Sequence, residues 1–352
     1  MHRSCLLLTA SLTLTTLPAA GQLRVRHDGN VAYLLTVGDE VYSDRGVSSV
    51  RGSESPPQWW LDFMKEHTLA KTEDYCYDLY TEPVFARPQV GDRTVVLDMG
   101  GAAQLVQLVE LAPGSETEWH GYGWEGEALF VVIQGRGETE YREMSGKLPS
   151  TKYAWKKDTL FGIAVDHQVK HYNRDPNTTA RMLVVVGYGI NLYSGAREEV
   201  EESAAALPQT MYPGHYVEDL ASHPVPVRDP HGNQTAFFNL ISTVGHRTHP
   251  YVQLSELTAE QAYPNRHAKQ PIFMILKGAG YDVWSQAEDL AAFRADLAAG
   301  RAHKSAYEEG TLCGVPADPP WHQHASANPE APVRYLAIFP RGEYEREPTS
   351  PR

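Results

Sequence analysis

The fold of this chain is decided by the stretch Glu127-Ala-Leu-Phe-Val-Val-Ile-Gln-Gly-Arg-Gly137. A matching stretch, Gln270-Pro-Ile-Phe-Met-Ile-Leu-Lys-Gly-Ala-Gly280, follows 143 residues later. In each copy an apolar run of strand length ends in Gly-x-Gly, which is typical of a buried strand that leads into a tight turn. The pair therefore predicts two related β-rich units, with matching strands at Leu129–Ile133 and Ile272–Leu276.

The repeat continues downstream in the same order. Thr159-Leu-Phe-Gly-Ile-Ala164 returns as Thr311-Leu-Cys-Gly-Val-Pro316, displaced by 152 residues. Arg181-Met-Leu-Val-Val-Val186 returns as Arg334-Tyr-Leu-Ala-Ile-Phe339, displaced by 153. Because both order and spacing recur, chance similarity is a weak explanation. Short strands separated by turn signals favour a sandwich or a small barrel.

The second copy has nine or ten residues more than the first, within Ala287–Ala302. Leu290, Phe293 and Leu297 stand there at spacings of three and four, which predicts a short amphipathic helix between strands. A second helix start is indicated near Ser55, where Ser and Pro precede the aromatic-rich run that ends at Lys65.

The composition limits the class of function. Of the 352 residues, 42% are hydrophobic and 21% are charged, as in a folded globular protein. The formal net charge is -13, and no run of Lys or Arg is longer than two. The chain therefore lacks the clustered positive charge with which proteins bind nucleic acids or anionic membrane surfaces, and neither partner is expected.

The first 21 residues differ from the rest of the chain. His2 and Arg3 are followed by the apolar run Cys5–Leu17 and by small residues, which is the layout of a secretory signal peptide. The run is too short for a transmembrane helix, so no integral membrane span is expected. We expect export to a secreted or periplasmic location, or a cytoplasmic location if this segment is not a signal. Removal of the signal leaves two cysteines, Cys76 and Cys313, which could form one bridge.

Two motifs resemble those of the bicupins, which carry two cupin barrels in one chain. The first is Asn265-Arg-His267 followed by Pro271 and by Gly278, and the second is Gly314–His324, which ends Pro-Trp-His-Gln-His. The resemblance covers about 94–190 and 235–339. It implies an all-β fold of two tandem cupin (jelly-roll) β-barrels with an N-terminal, partly helical segment.

The domain organisation follows from the repeat and the resemblance. We expect a signal peptide (1–21), an aromatic-rich extension (22–93) and a first cupin barrel (94–192). A linker (193–234), a second cupin barrel (235–340) and a loose tail (341–352) follow.

The bicupin motifs imply a metal site in the second barrel. The family pattern has His-x-His and a Glu in the first motif and a further His in the second. Here Asn265 replaces the first His, and Pro271 replaces the Glu. The metal ligands expected from the resemblance are therefore His267, His322 and His324, with His322 favoured over His324.

Other residues are expected to line a pocket or to support the ligands. In the second barrel these are Asn265, Trp284 and Trp321. On a regular strand His322 and His324 share a face, so a bend or bulge would be needed to separate them.

The first barrel is a poorer match, because Val169 occupies the place that corresponds to His322. We expect a structural half or a second pocket that includes His120 and His171. A displaced metal site formed by His120, Glu127 and either His171 or His167 is the alternative.

The resemblance implies a function. It points to a metal-dependent enzyme, a mononuclear non-haem iron dioxygenase of the gentisate-cleaving kind, with Fe(II) as cofactor and a small organic or aromatic substrate. Catalytic residues stay unassigned, and a homo-oligomer is compatible with this class. The alternative is a metal-poor bicupin that binds a small ligand or serves a structural role. Arg181 and Arg334 recur in both copies and are expected to be structural partners of acidic groups.

Overall fold

A computed structural model describes residues 34–37, 40–43, 58–70, 75–99, 104–121, 128–143, 150–163, 167–187, 211–213, 216–228, 234–239, 251–257, 264, 271–314, 321–328 and 330–339. The predicted signal peptide, the predicted ligand His267, Asn265 and the tail 341–352 lie outside these residues.

The N-terminal half of the described chain is mostly strands, with one helix. In chain order the elements are β1 (Leu34–Val37), β2 (Glu40–Ser43), α1 (Gln58–Glu66), β3 (Thr68–Ala70), β4 (Cys76–Asp78), β5 (Phe85–Arg87), β6 (Asp92–Asp98), β7 (Gln104–Leu111), β8 (His120–Gly121), β9 (Ala128–Gln134), β10 (Arg136–Glu143), β11 (Thr151–Lys156), β12 (Leu160–Ile163), β13 (His167–Asn173) and β14 (Ala180–Gly187).

The C-terminal half of the described chain also consists mostly of strands, with one helix. Its elements are β15 (Met211–Pro213), β16 (Tyr216–Val217), β17 (Val227–Arg228), β18 (Gln234–Asn239), β19 (Tyr251–Leu257), β20 (Ile272–Lys277), β21 (Ala279–Ser285), α2 (Leu290–Ala298), β22 (His303–Glu308), β23 (Thr311–Gly314), β24 (Trp321–Ser326) and β25 (Val333–Phe339).

Each half forms two sheets. In the first half the orders are β11-β10-β13-β8-β1-β2 and β16-β12-β9-β14-β7-β6-β3, with β5 also paired to β6. In the second half they are β22-β21-β24 and β15-β18-β19-β25-β20-β23-β4, with β17 paired to β18. The predicted all-β fold of two tandem barrels, each built from two sheets, is confirmed.

The strands that carry the sequence repeat occupy equivalent places. β9 lies between β12 and β14, and β20 lies between β23 and β25, in both cases with antiparallel partners. The register of pairing shifts at the same place in each repeat. The shift lies next to Arg181 in the pairing of β14 with β9, and next to Arg334 in the pairing of β25 with β20. The predicted equivalence of Leu129–Ile133 and Ile272–Leu276 is therefore confirmed.

Alternation along these strands divides the apolar residues between two cores. Phe273 and Ile275 belong to a cluster within the second barrel, together with Tyr307 and Tyr335. The intervening Ile272, Met274 and Leu276 belong to a large cluster that draws residues from both barrels. Since successive strand side chains point to opposite faces, an apolar run serves the barrel interior and the contact between barrels at once.

The segment ahead of each barrel adds a strand to the other barrel. β4 pairs with β23 of the second barrel, and β16 pairs with β12 of the first. The backbone contacts match as well, since the Leu79 amide donates to Gly310 O at 2.9 Å and the Leu220 amide donates to Asp158 O at 2.8 Å. In the first exchange, a disulfide joins Cys76 to Cys313, so the one bridge that the sequence allowed is present.

Two arginines fix these exchanged segments. Arg181 pairs with Glu110 at 2.8 Å and donates to the carbonyls of Leu79 and Tyr80. Arg334 pairs with Glu256 at 3.0 Å and donates to three carbonyls, those of Leu220, Ala221 and His223. The geometry agrees with the structural role expected for both arginines.

The helices lie where the sequence indicated. α1 follows the Ser-Pro start near Ser55 and buries Trp60 and Phe63 against the first barrel. α2 fills the insertion of the second copy, begins after an Asp289 side chain that accepts from the Ala292 amide, and buries Phe293. Neither helix of the described chain has the length and apolar character that a membrane crossing requires.

Candidate metal centre

The three-stranded sheet of the second barrel presents a regular array of side chains to the interior. Alternation on the central strand β21 puts Gly280, Asp282 and Trp284 on one face. Register pairing places a residue of β22 and a residue of β24 beside each of them. The resulting rows are Tyr307–Gly280–Ser326, Ser305–Asp282–His324 and His303–Trp284–His322.

Asp282, His322 and His324 converge within this array. Oδ1 of Asp282 lies 3.1 Å from Nδ1 of His322 and 3.5 Å from Nδ1 of His324. One ligand atom from each of the three side chains lies within 4.8 Å of the others. Asp282 and His322 are buried, and the His324 side chain is 11% exposed. Burying such polar groups is costly unless they bond to one another or to an ion.

Aromatic rings surround His324 and keep this end of the barrel apolar. Its imidazole lies 4.6 Å from the Phe273 ring, 5.2 Å from the Tyr335 ring and 6.3 Å from the Tyr307 ring, measured between centroids. The pKa of Tyr307 is raised well above its usual value, first by burial and then by the negative charge of Asp282. Tyr307 therefore stays a neutral phenol, whose hydroxyl donates to Ala325 O at 3.3 Å.

The three side chains fit a divalent metal ion. Two ligand atoms at adjacent corners of an octahedral ion, each about 2.1 Å from it, lie about 3.0 Å apart. The separations of 3.1 Å and 3.5 Å that involve Asp282 are compatible with this, and the shorter one is a hydrogen bond in the structure. Two imidazoles and one carboxylate are the donor set of many non-haem Fe(II) sites that keep open coordination positions. Within the described part of the chain, this is the one group of three metal-binding side chains.

The ligands expected from sequence are partly brought together. His322 and His324 share a face of β24 and both approach Asp282, with no bulge between them, since residues 321 to 326 pair continuously with β21. The other expected ligand, His267, lies outside the described residues. The structure thus gives no preference to His322 over His324 as a ligand.

Of the two described residues expected to line a pocket in the second barrel, Trp284 shares the sheet face of this centre, whereas strand alternation places Trp321 on the opposite face. Trp284 occupies the row of His322, and its ring lies 4.6 Å from that of His303. Trp321 begins β24, directly before His322, and its buried Nε1 has no hydrogen-bond partner among the described residues.

Sequence reasoning missed Asp282. The signal was present in the alternation after Gly280, which assigns the carboxylate to the inward face of a barrel strand. An ionisable side chain at such a position is a candidate functional group.

The same array in the first barrel has only one of the three candidate metal-binding side chains. Its rows are Trp155–Gly137–Asn173, Tyr153–Thr139–His171 and Thr151–Tyr141–Val169. Thr139 therefore stands in the place of Asp282, Val169 stands in the place of His322, and His171 alone is kept, in the place of His324. The donor set for a metal is incomplete here in the described residues.

His120 enters the first barrel from the next strand. It pairs with Val169 across β8 and β13, and its ring lies 5.4 Å from that of His171. Burial, followed by the positive charge of Arg87, lowers the pKa of His120 to about 4. Burial also lowers the pKa of His171 well below its usual value. Both imidazoles are therefore neutral near pH 7.

The chain was compared with family models, with curated proteins and with solved structures. No family model and no curated protein matches the chain. Among solved structures, vicilin from Capsicum annuum is 14% identical, with a TM-score of 0.46, and the match covers 75% of this chain and 85% of that one. A variant of oxalate decarboxylase from Bacillus subtilis is 12% identical, with a TM-score of 0.48, and the match covers 84% of this chain and 87% of that one. Likenesses this distant say nothing about ligand or reaction.

Proposed function

We propose that the second barrel binds one divalent metal ion through Asp282, His322 and His324, and that the protein is a metal-dependent oxidoreductase. The observation that supports this is the convergence of one carboxylate and two imidazoles inside an apolar barrel. Fe(II) is the ion that this donor set suits best. The reaction we favour is a dioxygenase reaction on a small organic or aromatic molecule.

The protein's own residues would prepare the site. Phe273 and Tyr335 flank His324, restrict its ring and exclude water from that side. Trp284 and His303 lie one row further along the same sheet face and form an aromatic wall next to His322. A ferrous ion bound here would supply Lewis acidity and open positions for ligands.

Metal analysis tests the proposal most directly. The full chain is loaded anaerobically with Fe(II), freed of excess metal and analysed for iron, alongside Asp282→Ala, His322→Ala and His324→Ala. About one iron per chain is expected for the unaltered protein, with loss of most of it in each variant. His67→Ala, whose ring packs on Phe63 and Phe85 away from the second barrel, is the control and is expected to keep its iron.

Oxygen consumption separates an enzyme from a metal-binding protein without activity. We expect substrate-dependent O2 uptake by the iron-loaded chain with a dihydroxybenzoate, and no uptake by His322→Ala. Absence of tightly bound metal in the folded chain would favour the alternative of a metal-poor ligand-binding or structural bicupin.

We also propose that the protein is exported. The Cys76–Cys313 disulfide supports this, because such bonds persist in oxidising compartments and are rare in the cytosol. N-terminal sequencing of the mature protein is expected to find a start near residue 22.

A further inference from the structure

The first barrel contains a buried imidazole that the proposed metal centre does not use. His171 is fully buried, and its Nε2 has no hydrogen-bond partner among the described residues. A buried polar nitrogen left in this state is costly. The interior of the first barrel therefore offers one polar atom for which the described residues provide no partner.

The hydrogen bonds of the neighbouring side chains identify Nε2 of His171 as a donor. The indole Nε1–H of Trp155 donates to Oγ1 of Thr139 at 2.9 Å, and Oγ1 lies 2.7 Å from Nδ1 of His171. The Thr139 hydroxyl proton is satisfied when it is donated to Nδ1, which leaves the imidazole proton on Nε2. The opposite tautomer would leave both the hydroxyl proton and Nε2 without partners. His171 therefore presents an N–H group that requires an acceptor.

Apolar and aromatic groups surround this donor. The Phe130 ring lies 5.3 Å from that of His171, and Val169 replaces an imidazole of the second barrel. Tyr141 and Tyr153, in the adjoining places of the array, stack on each other at 5.0 Å. Ligand-binding sites combine apolar and aromatic lining with a few directed polar groups, and the interior next to His171 has both features.

The charge balance of the interior favours a neutral ligand over an anion. The buried cation whose charge acts on both imidazoles, Arg87, bonds to both carboxylate oxygens of Asp92, with an Nε to Oδ1 distance of 2.9 Å. His120 and His171 are neutral near pH 7, because burial lowers the pKa of each. An unpaired carboxylate bound here would have no free positive partner among these groups.

We propose that the first barrel is a separate, metal-independent binding site for a small neutral aromatic molecule, whose carbonyl oxygen accepts a hydrogen bond from Nε2–H of His171. Thr139 and Trp155 position that donor through the imidazole Nδ1. The two barrels have thus diverged from one array, the second toward a metal and the first toward an uncharged organic ligand.

Three probes of similar shape test the site on the full, disulfide-intact chain. Acetophenone carries a neutral ring and a carbonyl acceptor, ethylbenzene lacks the acceptor, and benzoate carries a negative charge. We expect saturable binding of acetophenone by calorimetry, about tenfold tighter than that of either other probe. The ring Nε2–H resonance of His171 is expected to shift on acetophenone addition in an NMR titration.

Variants assign the binding to this barrel. His171→Phe is expected to abolish the preference for acetophenone over ethylbenzene, and His322→Ala, in the other barrel, is expected to keep it. If His171→Phe does not fold, Thr139→Val and the NMR titration of the unaltered chain replace it. The proposal is overturned if the folded protein does not bind acetophenone, if the three probes bind equally, or if the preference survives in His171→Phe. A preference lost in His322→Ala would overturn it as well. Since the metal centre is tested by iron content, failure of one proposal leaves the other intact.

Discussion

Lys157 and Glu309 occupy equivalent positions of the two repeats and bond to one another, with Nζ 2.6 Å from Oε1. Each directly precedes the residue whose carbonyl accepts from the opposite exchanged segment, Asp158 in the first barrel and Gly310 in the second. The ion pair thus lies at the contact between the two barrels and joins equivalent positions of the two repeats. Because both side chains are nearly half exposed, this ion pair is expected to add little stability.

Arg181 is expected to matter far more than Lys157. Arg181→Met would leave Glu110 with Arg93 as its remaining ion-pair partner and would free the carbonyls of Leu79 and Tyr80, at a cost of about 2–3 kcal/mol in unfolding free energy. Lys157→Met, the matched control at the same junction, is expected to cost less than about 1 kcal/mol. Urea unfolding of both variants measures the difference, and equal losses would contradict the role given to Arg181.

The lost ligands of the first barrel are expected to be restorable. Thr139→Asp combined with Val169→His recreates beside His171 the set that Asp282, His322 and His324 form. Iron content is then expected to rise from about one to about two per chain. Val169→His alone, which lacks the carboxylate, is the control and should stay near one. An unchanged iron content in a folded double variant would show that the array does not determine metal binding.

The disulfide is expected to stabilise the native state by closing a long loop. It links residues separated by 237 positions, and the chain-entropy model gives about 5.5 kcal/mol for a loop of this length. Dithiothreitol should therefore lower the midpoint of thermal unfolding. The double variant Cys76→Ser, Cys313→Ser should unfold at the lower midpoint and show no response to the reductant.

Asp158 makes stability depend on pH. Burial raises its pKa from 3.8 to about 6, and the neighbouring charges of Asp219 and Glu309 act in the same direction. A raised acid pKa means that the folded state binds more protons, so this contribution to stability is present at low pH and is lost as pH rises from about 4 to 6.

Asp158→Asn removes that dependence. Asn tolerates the left-handed backbone at this residue, where φ is 68°. The variant is expected to be more stable than the unaltered protein at pH 7, by about 1–2 kcal/mol after allowance for partial solvent exposure, and equally stable near pH 4. Chemical unfolding at both pH values tests this, and a variant that gains nothing at pH 7 would contradict it.

Much of the architecture could be predicted from the sequence. The repeat of Leu129–Ile133 in Ile272–Leu276 predicts two equivalent buried strands, because both runs have the length of a strand and both end in Gly-x-Gly. The spacing of Leu290, Phe293 and Leu297 was sufficient to predict the inserted helix. The recurrence of Arg181 as Arg334 was sufficient to predict a structural role, since a position kept in both barrels serves what the barrels share.

The tertiary structure alone decided the composition of the site. Asp282 meets His324 because strand register pairs residues far apart in the chain, and no local pattern encodes which residues will be paired. The same holds for Cys76 and Cys313, and for the exchange of β4 and β16 between barrels. Local sequence determines which stretches form buried strands and which way their side chains alternate. Hydrogen-bonded register and the contact between barrels determine which of those side chains converge on one site.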